Sequence, residues 1–174
     1  MSDGFELLGV EFFFLRHTGI IRVVRICGMD EVGRGALAGP LIAAAIVFSD
    51  QLSVVSLRDS KKLTAKQRQK LYKKIMKTAE IVEVEMISAR QINNQGMGWA
   101  NRQIFKNLIK RIEADKYIVD GPTSLLGASF GVKKNVECMI RADCKIPEVM
   151  AASIVAKVTR DEHMKKLHDE HKMY

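Results

Sequence analysis

The sequence is poor in cysteine, and the few cysteines it has are spaced in a way that excludes two classes of protein. Cys27, Cys138 and Cys144 are the only three, and no two of them form a CxxC pair. An odd number without that spacing argues against a disulfide framework and against a zinc knuckle. We therefore expect a cytoplasmic protein that works in a reducing environment.

Long uninterrupted hydrophobic runs are also lacking. The N-terminal stretch FELLGVEFFFLRHTGIIRVV is apolar in patches, but Glu6, Glu11 and Arg16 interrupt it, and Asp3 stands where a signal peptide has basic residues. This pattern predicts neither a signal peptide nor a membrane span. No internal repeat or low-complexity segment is present. We do not expect the protein to bind a membrane.

The chain has no acidic block to balance its most basic segment. RDSKKLTAKQRQKLYKKIMK, residues 58–77, carries nine basic residues and one acidic residue, so its net charge of +8 equals that of the whole chain. Such a segment is often only the solvated face of a helix. Because the rest of the chain is nearly neutral, we favour an anionic partner such as nucleic acid.

A length of 174 residues with 47% hydrophobic content suits one compact domain. The order of patterns predicts a mixed α/β sheet. The predicted strands are Ile20 to Asp30, LIAAAIVF, Ile81 to Ile87, KYIVDGP and VECMIRAD. Helices are expected after Thr64, after Ser88 and from Pro147, with Gly96 and Gly98 interrupting the second. The third strand alternates apolar and acidic residues, which predicts one face in water.

GMDEVGRGALAGP, residues 28–40, joins two of these strands and holds two adjacent acids. A dinucleotide-binding loop would open a helix, whereas Pro40 leads directly into an apolar strand, so that reading is improbable. A simple tight turn explains the glycines but does not require Asp30 and Glu31 together. Asp120 and Asp143 also stand at the ends of elements. Four carboxylates that converge at one sheet edge would suit Mg²⁺ or Mn²⁺.

These segments together resemble the ribonuclease HII family, the type 2 ribonucleases H. The motifs that carry the resemblance are GMDEVGRGALAGP, DSKKLTAKQR, YIVDG and ADCKIPEVMAASIVAKVTRD, in this order between about Ile26 and Asp161. The resemblance implies a ribonuclease H-like fold with a five-stranded mixed sheet flanked by helices. It also implies that Asp30, Glu31, Asp120 and Asp143 are the catalytic, metal-binding acids.

The implied activity is hydrolysis of the RNA strand of RNA–DNA hybrids and cleavage 5′ of a ribonucleotide in duplex DNA, by a two-metal mechanism with Mg²⁺ or Mn²⁺. Such an enzyme would act in ribonucleotide excision repair and DNA replication, as a monomer. The glycine-arginine-glycine loop would read the 2′-hydroxyl. The substrate-binding residues that the resemblance implies are Gly33, Arg34, Gly35, Ser60, Lys61, Lys62, Asn93, Ser153 and Lys157.

The two ends of the chain differ from the family pattern. Residues 1–25 are an N-terminal extension, and residues 26–174 are expected to form the catalytic domain. Relatives carry a tyrosine beyond the last matched helix that selects the RNA–DNA junction. Tyr174 follows Asp161 too closely to match it, so we expect the C-terminal part of the family domain to be missing.

Two alternatives remain open at this point. The chain could be a non-catalytic or weakly active nucleic-acid-binding fragment of such an enzyme, or another two-metal DNA nuclease of the same fold. Asp161 is expected to be a solvated helix residue rather than a metal ligand. Trp99 and Phe105 are expected in the core, and the remaining candidates are assigned to the surface: His163, His168 and His171.

Overall fold

The computed structural model describes residues 24–49, 64–125 and 135–171 with their side chains, and the backbone of three strands before them. The elements in chain order are β1 (Asp3–Leu7), β2 (Val10–Leu15), β3 (Ile20–Val23), β4 (Ile26–Val32), β5 (Leu41–Val47), α1 (Ala65–Thr78), β6 (Ile81–Ile87), α2 (Ala89–Gln95), α3 (Met97–Arg111), β7 (Lys116–Asp120), β8 (Val136–Met139) and α4 (Pro147–Glu170). None of the described helices is long and apolar enough to cross a membrane.

The central sheet has five strands in the order β6-β5-β4-β7-β8. β4, β5 and β6 are antiparallel neighbours, whereas β7 and β8 run parallel to β4. β5 is buried along its whole length because layers of helices cover both faces of the sheet at its position. The predicted mixed five-stranded sheet flanked by helices is therefore confirmed.

Alternation along the strands divides the core between the two faces of the sheet. Cys27 and Met29 of β4 pack towards α3, together with Phe105 and Leu108. Ala44 and Ile46 of β5 pack on the opposite face against α4 and α1. The predicted core position of Phe105 is confirmed, and Trp99 is partly buried against the same cluster.

The first two helices begin where the sequence predicts. Thr64 caps α1 and Ser88 caps α2, each in a capping box with the glutamine three residues later. Gly96, with φ of +83°, ends α2, and Gly98 lies inside α3 rather than interrupting it. The outer face of α1 is basic as predicted, with exposed residues Lys66, Lys70, Lys73, Lys74 and Lys77.

The predicted strand from Ile20 to Asp30 is wrong, because it is two strands in two sheets. β3 ends at Val23 and completes a three-stranded antiparallel sheet with β1 and β2. Val24 and Arg25 separate the two strands, and Arg25 is bound by Asp115: its backbone N–H donates to Asp115 Oδ2 at 2.9 Å and its carbonyl accepts from Asp115 N at 2.9 Å. These bonds tie the break between β3 and β4 to the residue that precedes β7.

Two further expectations need correction. β8 ends at Met139 and is shorter than VECMIRAD, since Arg141 adopts a left-handed conformation with φ of +59° and begins a 3-10 turn, Ala142–Cys144.

The acids of β6 do not simply face water. Glu85 accepts hydrogen bonds from Asn107 at 2.7 Å and Arg111 at 2.8 Å, so α3 covers this face of the strand in part.

α4 packs against β4 at an unusually short distance. Gly28 makes this possible, because a Cβ there would overlap the helix backbone at Glu148 and Val149. Pro147 occupies the first turn as predicted. Glu148 is only 3% exposed, and its burial raises the pKa of its carboxyl to about 6. The close packing brings the next turns of α4 against the part of β4 that carries Asp30.

Candidate active site

Two acids stand where the pairing between the parallel strands β4 and β7 ends. β4 and β7 pair from Ile26 with Lys116 to Met29 with Val119, and Asp30 and Asp120 follow directly on the last pair. They therefore lie at the same level of the sheet. Both are on the α4 face, because side chains alternate and Met29 and Val119 face α3. The carboxyl edge of parallel strands is where α/β sheets commonly bind ligands.

Asp30 is buried, with 9% of its surface exposed. Its pKa is raised from 3.8 to about 7, mainly because burial disfavours the charged form, and repulsion from Glu31 and Asp120 adds to the rise. Hydrogen bonds from the Ser153 side chain and from Glu31 N, the latter at 2.8 Å, act in the opposite direction. The site thus holds a carboxylate whose charge is only partly compensated.

The negative charge of Glu31 is also only partly compensated. Burial raises its pKa from 4.5 to about 7, Arg34 lowers it, and Asp120 raises it. Its Oε2 atom is buried and accepts no hydrogen bond. A buried carboxylate oxygen without a donor is costly, and a cation would satisfy it.

The 3-10 turn that carries Asp143 is bound to the end of β7. Asp120 Oδ1 accepts a hydrogen bond from Ala142 N at 2.8 Å, which fixes the 3-10 turn against the end of β7. Asp143 is the next residue and is partly buried. Among the described residues, no three or more His, Cys, Asp or Glu side chains are arranged closely enough to hold a metal ion. The described part of the chain also contains no histidine cluster of that kind.

The loop between β4 and β5 lies beside these acids. A turn closes from Gly33 O to Ala36 N at 3.2 Å, and Gly33 and Gly39 have positive φ angles of +109° and +88°. Arg34 and Gly35 are exposed, and a Cβ on Gly35 would meet nothing within 4 Å. Leu37 is fully exposed at the tip. The centre of the loop is therefore open to approach by a ligand.

α4 carries the next candidates along the same edge. Ser153 hydrogen-bonds to Asp30, and Lys157, one turn later, donates to Asp161 Oδ1 at 2.6 Å. Asp161 also lies 3.7 Å from Arg68 of α1. Asp161 is thus the partner of two basic side chains and is 38% exposed.

Not every predicted residue is brought to this place. Asn93 is exposed on α2, and the described residues provide no hydrogen bond between it and the acids. Ser60, Lys61 and Lys62 lie outside the described residues.

Arg160 is a site residue that sequence reasoning missed. Its Nε donates to Pro40 O at 3.1 Å, and its guanidinium donates to Ala38 O at 2.8 Å, so it binds the end of the glycine loop. One arginine in a basic chain carries no signal of its own. Its position seven residues after Ser153, two helical turns along α4, could have suggested that both face the same edge.

Comparison with known proteins identifies the family. The family model for Ribonuclease HII matches residues 27–174. The chain belongs to the ribonuclease HII family. Members of this family are metal-dependent endoribonucleases.

Relatives in the ribonuclease HII family match over most of this chain. The chain is 40% identical to Ribonuclease HII of Sulfurovum sp. over 142 residues, which are 82% of this chain and 71% of the relative. It is 43% identical to Ribonuclease HII of Campylobacter concisus over 142 residues, with 82% and 72% covered.

Solved structures support the same fold. Ribonuclease HII in the complex with PCNA from Archaeoglobus fulgidus has a TM-score of 0.74 at 27% identity and covers 84% of this chain and 78% of its own. Bst-RNase HIII in complex with Mn²⁺ has a TM-score of 0.68 at 18% identity and covers 96% and 73%. The second likeness concerns the fold alone.

Proposed function

We propose that this protein hydrolyses the RNA strand of RNA–DNA hybrids and cuts duplex DNA on the 5′ side of an embedded ribonucleotide, leaving a 3′-hydroxyl and a 5′-phosphate. The observation that carries the proposal is the placement of Asp30 and Asp120 beside an open glycine loop. The acids would bind the metal ions that act on the phosphate, and the loop would offer exposed backbone groups to the ribose. Membership in the ribonuclease HII family supports both parts.

The acids suit divalent cations such as Mg²⁺ or Mn²⁺. Asp30, Glu31, Asp120 and Asp143 are the proposed ligands, and all four offer the hard oxygen donors that these ions prefer. The unpartnered Glu31 Oε2 and the raised pKa values of Asp30 and Glu31 support the fit, since both reflect negative charge without a compensating partner. Two such ions, when bound, would activate the attacking water and stabilise the leaving oxygen.

The protein's own residues would fix the geometry around this centre. Ser153 orients the carboxylate of Asp30, and the bond from Ala142 N orients that of Asp120. Hydrogen bonds to the side chains that bind a metal hold those side chains in place and commonly affect metal affinity. Because Asp30 and Asp120 are held on adjacent strands, their separation is set by the sheet rather than by flexible loops.

Substrate recognition would combine ribose and phosphate contacts. The exposed backbone of Gly33, Arg34 and Gly35 is the proposed reader of the 2′-hydroxyl, the group that distinguishes RNA from DNA. Lys157 and the basic face of α1 are proposed to bind backbone phosphates, as is the DSK segment that contains Lys61. Such phosphate contacts give affinity without sequence preference.

The proposal extends to the cellular role. The substrates would be RNA–DNA hybrids and ribonucleotide-containing duplex DNA, and the enzyme would act as a cytoplasmic monomer in ribonucleotide excision repair and DNA replication. The absence of a disulfide or zinc pattern in the cysteines supports a reducing compartment.

The test uses three labelled duplexes of one sequence: all DNA, DNA with one ribonucleotide, and an RNA–DNA hybrid. Each is incubated with the protein and Mg²⁺ or Mn²⁺, with Asp30→Asn as the matched inactive control. We expect cleavage of the second and third duplexes, with products whose 3′ ends a DNA polymerase extends. Equal cleavage of the all-DNA duplex would instead identify a two-metal DNA nuclease of the same fold.

Binding without cleavage is the remaining outcome. If the chain binds the ribonucleotide-containing duplex but cuts it with neither metal, while a version extended beyond Tyr174 cuts, the chain is a nucleic-acid-binding fragment.

A further inference from the structure

Arg160 joins α4 to the glycine loop through two backbone carbonyls. The loop segment from Ala38 to Pro40 offers these carbonyls to the planar guanidinium, at 2.8 Å and 3.1 Å. A guanidinium presents several donors in a fixed fork and stays charged at every physiological pH, so two such bonds define an orientation. Arg160 therefore fixes the orientation of this part of the loop relative to α4.

Two glycines of the loop lie close to Arg160 and have positive φ angles. Gly33 has a positive φ, and a Cβ there would lie 2.6 Å from Pro40 O and 2.8 Å from Arg160 Nε. Gly39 also has a positive φ, and a Cβ there would overlap Met164 of α4 and lie 3.3 Å from the Arg160 guanidinium. At both positions the positive φ and these contacts oppose a larger side chain. Gly35, by contrast, has open space around it.

The same helix reaches the acids. Ser153 contacts Asp30, and Arg160 follows seven residues later, which is about 10 Å along a helix at 1.5 Å per residue. α4 thus holds the acid of β4 at one point and the glycine loop at another. The distance between the cleavage centre and the centre of the loop is fixed by one rigid element.

We propose that Arg160 is a positioning residue that holds the glycine loop in the conformation that distinguishes a ribose from a deoxyribose. It would touch neither the substrate nor the acids, and it would act through the backbone of Gly33, Arg34 and Gly35. This inference rests on the proposed function, because it assumes that the open loop meets the ribose. It adds a residue on α4 that sets substrate selectivity from outside the loop.

The test replaces Arg160 with lysine. Arg160→Lys keeps the positive charge, so general attraction to phosphates remains, but a single ammonium cannot reproduce the fork to two carbonyls. For the duplex with one ribonucleotide we expect KM to rise roughly 10-fold or more, since small misplacements of a positioning group have effects of that order. We expect kcat to change by less than about threefold, because the acids are not altered.

A second measurement separates positioning from folding. The dissociation constants for the ribonucleotide-containing and the all-DNA duplex are compared in EDTA. Arg160→Lys should bring their ratio towards one while leaving the all-DNA value nearly unchanged. Arg160→Gln, which also loses charge, is the second variant and should lose the same selectivity. Arg102→Lys, an exposed arginine on α3, is the matched control and should keep both values.

The outcomes distinguish this inference from the function on which it rests. If the wild-type protein neither cuts nor prefers the ribonucleotide-containing duplex, the proposed function fails. If the wild type prefers it, and Arg160→Lys and Arg160→Gln retain the wild-type KM and preference, the positioning role of Arg160 is overturned.

Discussion

Ser153 on α4 donates a hydrogen bond to the carboxylate of Asp30 on β4. Its neighbours Ala151 and Ala152 are fully buried and allow the helix to approach the sheet, whereas Ser153 is only partly buried. These three small residues of α4 thus have two roles. The alanines permit close packing, and the serine uses that closeness to reach an acid at the sheet edge.

Replacing Ser153 with alanine should weaken metal binding. The hydroxyl lowers the pKa of Asp30 against the effect of burial, so its loss should raise that pKa further above about 7. A carboxyl that stays protonated to higher pH is a poorer ligand at neutral pH. We expect Mn²⁺ affinity at pH 7 to fall roughly 10-fold, as for other contacts that orient ligands, measured by isothermal titration calorimetry.

The loss should shrink as the pH is raised from 7 to 9, because Asp30 then ionises in the variant too. Ser49→Ala, at an exposed position after β5, is the matched control and should bind as the wild type does. An affinity loss that is the same at pH 7 and pH 9 would contradict a role through the ionisation of Asp30.

Asp30→Asn should abolish cleavage and at the same time stabilise the metal-free protein. The folded-state pKa of about 7 lies above the ordinary value of 3.8, so the folded protein binds the proton more tightly than the unfolded chain. Stability of the wild type therefore falls as the pH rises from about 4 to about 7, and the penalty is complete above that range. Three pKa units correspond to at most ~4 kcal/mol.

The measurement is thermal unfolding in EDTA between pH 4 and pH 8. Asparagine carries no such charge, so the variant should melt roughly 5–10 °C higher at pH 8 and nearly equally at pH 4. Asp169→Asn, at an exposed position near the end of α4, is the control and should show no such gain. A lower melting temperature for Asp30→Asn at pH 8 would show that the buried charge is compensated within the protein.

The features that the sequence predicts well are those with a local physical cause. β6 is found at Ile81–Ile87 because the residues from Val82 to Met86 alternate in polarity, and the starts of α1 and α2 follow from capping boxes. The sequence predicts that Asp30, Glu31, Asp120 and Asp143 converge because they stand near the ends of elements, and the structure places Asp30 and Asp120 at the same level of the sheet.

The features that the sequence did not predict depend on contacts between distant parts of the chain. Arg25, at the break between β3 and β4, is bound by Asp115, 90 residues away, and the loop is held by Arg160, about 120 residues after the carbonyls it binds. Neither contact produces a periodic pattern in the sequence. The acids of β6 were assigned to water because alternation gives two faces but does not say which helix covers them, and Arg111 of α3 supplies the partner.

Gly35→Ala should separate substrate binding from folding. The Cβ would meet nothing within 4 Å and Gly35 has no positive φ, so we expect the free energy of unfolding to change by less than ~0.5 kcal/mol. If the backbone here approaches the ribose, the added methyl group stands between them. We therefore expect KM for the ribonucleotide-containing duplex to rise roughly 10-fold or more.

Gly33→Ala is the comparison within the same loop. It should lower stability by ~1 kcal/mol or more, because a positive φ and a contact of 2.6 Å with Pro40 O oppose the side chain. Unchanged kinetics in Gly35→Ala would mean that the open centre of the loop does not meet the substrate.

Gly28→Ala should be strongly destabilising, because the added Cβ would overlap the backbone of α4 at Glu148 and Val149. Backbone atoms cannot move aside as a flexible side chain can, so the helix must shift as a whole and lose its packing on β4. We expect ~3 kcal/mol or more of lost stability and a melting temperature lower by roughly 6–12 °C. Chemical denaturation and thermal unfolding measure the two quantities.

Gly98→Ala is the matched control, because the same methyl group is added within α3, where its nearest neighbour is Arg102 Nη1 at 3.7 Å. It should stabilise the protein by ~0.5–1 kcal/mol, since alanine is the better helix former. A displaced α4 would also move Ser153 away from Asp30, so Gly28→Ala should lose metal affinity below its melting temperature. Wild-type stability in Gly28→Ala would show that α4 does not lie this close to β4.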